Sequence, residues 1–179
     1  VYEGIELCKK EGVDFILAVG GGSVIDSGKA IGYGVANEGD VWDFYAKKRT
    51  AKACLPIGAV LTIAAAGSEM SNSSVITNED GWLKRGYNDD VCRCKFAVMN
   101  PELTYTLPAY QTASGCVDIL MHTMERYFTK AEHTMLTDSV AEGLMRTVIY
   151  NAKVLAEDPE NPRGYAILPM EGTYIIENK

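Results

Sequence analysis

Short apolar runs alternate with helical patterns along the chain as far as residue 100. The predicted elements are strands at 14–19, 55–61, 73–77 and 96–99, and helices before Gly12 and over 24–33. The run from Phe15 to Val19 is continuously apolar, which is typical of a strand buried on both faces of a parallel sheet. Strands that alternate with helices in this way predict an α/β fold.

From Pro108 onward the strand signals stop and two long helices are predicted, Tyr110 to Phe128 and Thr134 to Ala156. Apolar residues that recur at helical spacing predict the core-facing stripe of the first of these helices. That stripe consists of Val117, Leu120, Met121, Met124, Tyr127 and Phe128. We therefore predict an α/β domain over residues 1–107, followed by a helical domain over 108–179.

The first apolar run ends in the sequence GGGS at residues 20–23. Ser23 followed by Asp26 fits a capping box, which predicts a helix from Val24 with its free N–H groups over the glycines. The glycines are expected to supply positive φ and to let backbone amides approach a ligand. Such a turn favours an anion such as a pyrophosphate. The same residues also fit a plain strand-to-helix turn, because GGGS is neither GxGxxG nor a loop with a Walker lysine.

Asp118 and His122 lie four residues apart on the first long helix, along one edge with Glu125. Residues at this spacing sit about 5–6 Å apart at Cβ, so a carboxylate and an imidazole can converge on one cation. Fe²⁺ and Zn²⁺ accept such mixed ligands. Two ligands do not complete a metal site, and on spacing alone a hydrogen-bonded Asp–His pair on the helix surface is the favoured explanation.

Composition narrows the functional classes. The chain has 179 residues, 47% of them hydrophobic, which is ample for a folded core. A net charge of −7 without basic runs argues against nucleic-acid or anionic-membrane partners. No apolar stretch approaches the ~18 residues of a membrane span, and the first ten residues, VYEGIELCKK, lack the apolar core of a secretory signal, so we expect neither. The five irregularly spaced cysteines, with Cys92 and Cys94 among them, are expected to be free thiols of a cytoplasmic protein.

Four segments, in order, resemble the iron-containing alcohol dehydrogenases, most closely their butanol-dehydrogenase-like branch. The segments are GGGSVIDSGKAIG at 20–32, LTIAAAGSEMSNSSVIT at 61–77, KRGY at 84–87 and KFAVMNPELTYTLPAYQTASGCVDILMHTMERYFT at 95–129. In that family a Rossmann-like domain precedes an all-helical domain, with NAD(P) and a divalent metal between them. The resemblance implies an incomplete Rossmann-like, NAD(P)-binding domain over 1–107 and the start of an all-helical, metal-binding domain over 108–179.

The resemblance also implies roles for individual residues. It implies NAD or NADP as the cofactor and Fe²⁺, or alternatively Zn²⁺, as the metal. The implied substrate is a primary alcohol such as butanol, or the corresponding aldehyde. No catalytic base is indicated, and a homo-oligomer is left open. The implied residues are Gly21, Gly22 and Ser23 at the pyrophosphate, Thr62 on the adenine and ribose side, Lys84 near the nicotinamide ribose, and Asp118 and His122 as the first two metal ligands.

The chain departs from the family pattern in several places. The family's first strand and helix lie before Val1, and its two further metal-binding histidines lie beyond Arg163. His133 is expected to be a solvated loop residue, and Ala66 replaces a common threonine. The tail from residue 164 no longer follows the family. We therefore expect a truncated, inactive piece. The alternatives are a non-catalytic nucleotide-binding or structural fragment, or another dehydrogenase of this fold such as glycerol dehydrogenase; the DILMH and NPELTYTLP segments favour the alcohol branch.

Overall fold

The computed structural model describes residues 1–63, 67–158 and 161. Its first helix and strand are α1 (Tyr2–Glu11) and β1 (Ile16–Gly20), followed by α2 (Gly22–Ala36) and the short α3 (Trp42–Tyr45). The remaining strands are β2 (Ile57–Leu61), β3 (Ser73–Asn78), β4 (Leu83–Asn88) and β5 (Phe96–Val98). Two long helices complete the order, α4 (Ala109–Tyr127) and α5 (Met135–Glu157). Short 3₁₀ turns lie at Asp90–Cys92 and Pro101–Thr104.

Three of the strands form a parallel sheet with the order β1-β2-β5. Parallel strands separated by helices, followed by a helical segment, confirm the predicted fold class. The predicted burial of β1 on both faces is wrong, because α2 covers only the face that carries Ala18. On the opposite face Leu17 and Val19 are 53% and 56% exposed.

The antiparallel pair of β3 and β4 was only half predicted. β3 matches its predicted limits to within a residue, whereas β4 carries the segment KRGY and is exposed along almost its whole length. An exposed strand without apolar alternation leaves no periodic signal. The hairpin packs through Tyr87 against the aromatic core of α2 and α3, where the rings of Tyr33, Phe44 and Tyr45 lie 5.3–6.0 Å from the Tyr87 ring.

The two long helices agree with their predicted limits to within one residue, and they pack against each other. The predicted core stripe of α4 is wrong in part: Leu120 packs against the core, but three other members do not. Val117, Met121 and Phe128 are 56%, 54% and 75% exposed, so neither Val117 nor Met121 fills the core. The buried side chains of α4 are those of Cys116, Ile119 and Thr123, and the cluster shared with α5 adds Leu144, Val148 and Leu155.

The chain divides into two compact units. The first contains Val1–Leu61 and Ser68–Val98. The second contains Thr62 and, later in the chain, the described residues from Met99 onward. The domain limits drawn from the sequence, 1–107 and 108–179, remain a prediction.

Within the described part of the chain, no helix has the length and apolarity needed to cross a membrane. The predicted departure of the tail after residue 164 lies outside the described residues.

Candidate cofactor turn and metal ligands

The glycine turn joins the end of β1 to the start of α2. The helix begins at Gly22, with Gly21 as N-cap in an extended conformation, and no side chain caps it. The predicted capping box is therefore wrong, since Ser23 lies inside the first helical turn. The carbonyl of Gly21 accepts from the amides of Val24 and Ile25, both at 3.1 Å. The amides of Gly22 and Ser23 come too early in the helix to find an intrahelical acceptor. They are the groups that an anion at this end would meet.

The three glycines of the turn do not have positive φ, contrary to the prediction; Gly21 has φ −87°. Close packing is the physical reason for glycine at Gly20. A Cβ there would lie 2.6 Å from Cγ2 and 2.8 Å from Cβ of Val24, in the first turn of α2. Glycine lets the strand end directly against the helix start.

Asp26 has a different role from the one predicted. Its carboxylate accepts hydrogen bonds from the Ser68 hydroxyl at 2.5 Å and from the Val75 amide at 3.0 Å. Its backbone carbonyl accepts from the Ser74 hydroxyl at 2.8 Å. Asp26 therefore ties α2 to the segment that leads into β3, instead of capping the helix.

Sequence reasoning also missed Lys29, which lies on α2 and is completely buried. The signal that could have found it is the pair Asp26 and Lys29. These are the only charged side chains in the run from Gly20 to Gly34, which is otherwise apolar or small. Charged residues inside such a helix are rarely buried unless they are satisfied by specific partners.

Thr62 and Lys84 lie in different surroundings. Thr62 directly follows β2 and is grouped with the second compact unit. Lys84 lies on β4 opposite Thr77, with its side chain exposed, in the same unit as the glycine turn. Ala66, where the family commonly has threonine, lies outside the described residues. The roles of Thr62 and Lys84 at the cofactor therefore remain predictions.

The structure brings Asp118 and His122 together on α4. Nε2 of His122 lies 3.7 Å from Oδ1 of Asp118, and the side chains are 39% and 48% exposed. A tetrahedral ion with bonds of about 2.0–2.2 Å separates neighbouring donors by about 3.4 Å. The pair therefore fits two adjacent positions around a metal ion after a small side-chain adjustment. In the described residues, no three histidine, cysteine, aspartate or glutamate side chains form a group that could hold a metal.

His133 does not join this pair in the structure as described. It lies in the connection between α4 and α5, exposed and with φ 62°. This agrees with the predicted solvated loop residue. Left-handed backbone at a histidine is uncommon but tolerated in a turn.

The five cysteines are free, as predicted. Burial raises the pKa of the Cys54 thiol to about 12 and raises the pKa values of Cys92, Cys94 and Cys116. These groups are therefore neutral thiols near pH 7, whereas metal binding and nucleophilic attack require the thiolate. Cys92 and Cys94 do not present a redox or metal pair.

Comparisons with known proteins support the family resemblance seen in the sequence motifs. Residues 1–101 match the family model described as iron-containing alcohol dehydrogenase, and residues 112–166 match the model described as Fe-containing alcohol dehydrogenase family, C-terminal. The chain is 48% identical over 161 residues to the probable NADH-dependent butanol dehydrogenase 2 of Bacillus subtilis, covering 90% of the chain and 41% of that protein. It is 37% identical over 165 residues to the NADPH-dependent aldehyde reductase YqhD of Escherichia coli, covering 90% of the chain and 42% of that protein.

A solved structure gives the same result. The crystal structure of NADH-dependent butanol dehydrogenase A from Thermotoga maritima matches with a TM-score of 0.91 and 38% identity, over 98% of this chain and 44% of that one. The chain thus spans less than half the length of these relatives. The resemblance seen in the sequence motifs is confirmed, and the first family model alone covers more than half of the chain. The chain belongs to the iron-containing alcohol dehydrogenase family.

Proposed function

We propose that the chain supplies the pyrophosphate turn and two metal ligands of an NAD(P)- and metal-dependent alcohol dehydrogenase. The reaction would interconvert primary alcohols such as butanol with aldehydes. The observation that carries the proposal is the Asp118–His122 pair, whose 3.7 Å separation fits neighbouring metal ligands. The similarity to butanol dehydrogenases and to an aldehyde reductase supports the substrate class.

At the cofactor, Gly21, Gly22 and Ser23 would hold the pyrophosphate through the backbone amides at the start of α2. Thr62 would contact the adenine and ribose side, and Lys84 the nicotinamide ribose. The relatives include NADH- and NADPH-dependent enzymes, so the proposal covers both cofactors.

At the metal, Asp118 and His122 would each donate one ligand atom from the same edge of α4. A carboxylate oxygen and an imidazole nitrogen suit Fe²⁺, and also Zn²⁺. A bound ion of this kind supplies Lewis-acid polarisation of the alcohol oxygen. The contribution of this chain is to fix the two donors one helical turn apart, so that little rearrangement is needed on binding.

The partner of the site would be a small alcohol or aldehyde, with no role for nucleic acid or a membrane. A homo-oligomer is compatible with the proposal. A cytoplasmic location is part of it, because a reducing compartment keeps all five cysteines free.

The test uses this chain extended with the downstream helices and histidines of the butanol-dehydrogenase branch. We expect metal-dependent oxidation of NAD(P)H with short aliphatic aldehydes, and its loss in Asp118→Ala and His122→Ala. Glu125→Ala is the matched control, because it removes another side chain from the same edge of α4 and should leave turnover unchanged. Metal-independent turnover, or full activity in both ligand variants, would contradict the proposed ligands.

The 179-residue chain alone is expected to bind Fe²⁺ or Zn²⁺ weakly and to oxidise no alcohol, because two ligands do not offset dehydration of the ion. This is the alternative of a non-catalytic fragment. Intact mass and metal analysis of the purified chain distinguish the two. Stoichiometric metal bound through Asp118 and His122 would require a third ligand, and His133→Ala would be the first variant to examine.

A further inference from the structure

Lys29 is a lysine with no exposed surface in the middle of α2. Its Nζ atom lies 2.7 Å from the carbonyl oxygen of Ser68, 2.7 Å from that of Ser71 and 2.8 Å from that of Ser73. The hydroxyls of Ser68 and Ser71 lie further away, both at 3.5 Å. Backbone carbonyls of one short segment therefore surround the ammonium group.

The match between donors and acceptors is complete. An ammonium group has three N–H donors and no acceptor, and each donor has one carbonyl oxygen at close hydrogen-bonding distance. A buried charge is strongly unfavourable unless polar groups satisfy it in this way. With all its donors used inside the protein, Lys29 has none left to bind a ligand directly.

The Lys29 ammonium group also stabilises the conformation of the segment whose carbonyls surround it. Three carbonyl dipoles that converge on one point repel each other, and burial leaves them without water if the charge is removed. The Asp26 carboxylate, three residues earlier on α2, holds the same segment through Ser68 and Val75. Lys29 and Asp26 together fix residues 68–75 to the helix that starts at the glycine turn.

We propose that Lys29 is a positioning residue whose ammonium group acts as a built-in monovalent cation, and that shortening its side chain creates a binding site for NH₄⁺ or K⁺. These ions resemble the ammonium group in charge and size, and the carbonyl oxygens that remain are ligands suited to them. Any effect on cofactor binding rests on the function proposed above, but the cation site itself does not.

The test is hydrogen exchange followed by mass spectrometry on the 179-residue chain, in LiCl, NaCl, KCl and NH₄Cl at equal ionic strength. In Lys29→Ala, amides of residues 68–75 should exchange at least about tenfold faster than wild type in LiCl. KCl or NH₄Cl should restore slow exchange, while the small Li⁺ should not. In the wild type, the exchange rates of this segment should be the same in all four salts, because the Lys29 ammonium group occupies the site.

Two further variants make the result specific. Lys29→Met keeps most of the side-chain volume without the charge, so its segment should exchange rapidly in every salt. Lys52→Ala removes an exposed lysine of the same unit and should exchange like wild type. If Lys29→Ala is folded only in KCl or NH₄Cl, as seen by circular dichroism, the proposal is equally supported. Identical exchange in all four salts, or an unfolded chain in all of them, overturns it.

A second measurement separates this inference from the proposed function. NADH affinity is measured for wild type and Lys29→Ala in LiCl and in NH₄Cl, using the extended enzyme. Cofactor binding that returns with NH₄⁺ shows that the segment positions the cofactor turn. If wild type binds no cofactor, the proposed function fails while the ion-dependent exchange of residues 68–75 still stands.

Discussion

Replacing Gly20 with alanine should destabilise the first compact unit because the end of β1 touches the start of α2. The new Cβ would lie 2.8 Å from Cβ and 2.6 Å from Cγ2 of Val24, whereas ordinary contacts begin at 3.4 Å. The position of a Cβ atom is set by the backbone, so no rotamer change of Val24 relieves the 2.8 Å approach between the two Cβ atoms. The strand end and the helix start must move apart by more than half an ångström. Overpacking of this kind costs about 1–3 kcal/mol.

The matched control is Gly28→Ala in α2, the helix that Gly20 precedes. A Cβ at Gly28 would lie 3.5 Å from Ala18 Cβ and 3.6 Å from Ile16 Cγ2, which is ordinary contact. Both variants make the same chemical change, so a loss confined to Gly20→Ala isolates the turn. Gly28→Ala should be neutral or more stable by up to about 1 kcal/mol, because alanine is the better helix former.

The assay is urea unfolding followed by tryptophan fluorescence. Trp42 and Trp82 are the two tryptophans of the chain, and both belong to the first unit, so the signal reports that unit. The free energy of unfolding of Gly20→Ala should fall about 1–3 kcal/mol below that of the wild type, whereas that of Gly28→Ala should not fall. In the extended enzyme, the displaced turn should also weaken NADH binding in Gly20→Ala alone. Equal stability of the two variants would refute the packing argument, and lower stability with unchanged NADH affinity would refute the role of the turn.

Three further predictions address packing and pH. Ile119→Ala should lower the free energy of unfolding of the second unit by about 2–5 kcal/mol, because this side chain is buried, whereas exposed Met121→Ala should change it by less than about 0.5 kcal/mol; calorimetry measures both. Gly143→Ala should stabilise α5 by about 1 kcal/mol, because nothing lies within 4 Å of the added Cβ. Burial raises the pKa of Cys54 from 9.0 to about 12, so its contribution to stability is present below about pH 9 and is lost as pH rises toward 12. At pH 8, iodoacetamide should therefore modify Cys54 at least about 100-fold more slowly in the folded than in the urea-unfolded chain, as peptide mass spectrometry will show. Equal rates would refute that shift.

Local patterns in the sequence were sufficient for much of the fold. The limits of α4 and α5 follow from helical periodicity and from the prolines and polar residues that bound them, and β1 and β2 follow from their apolar runs. Asp118 and His122 were predictable neighbours for the same reason, since residues four apart on one helix meet without help from the rest of the chain. The ordered motifs were specific enough to indicate the family.

Features that depend on a distant partner were not predictable in this way. The buried face of α4 is the one carrying Ile119 because α5 packs there, although the Met121 face is also apolar. Gly20, although close to Val24 in the sequence, is required for the packing of the end of β1 against α2, not for positive φ. Lys29 is buried because carbonyls from residues 68, 71 and 73, about forty positions along the chain, return to surround it. The sequence by itself determined most of the helices and strands, because those preferences are local, although it missed the exposed strand β4. Burial and charge satisfaction were decided only when tertiary contacts brought distant segments together.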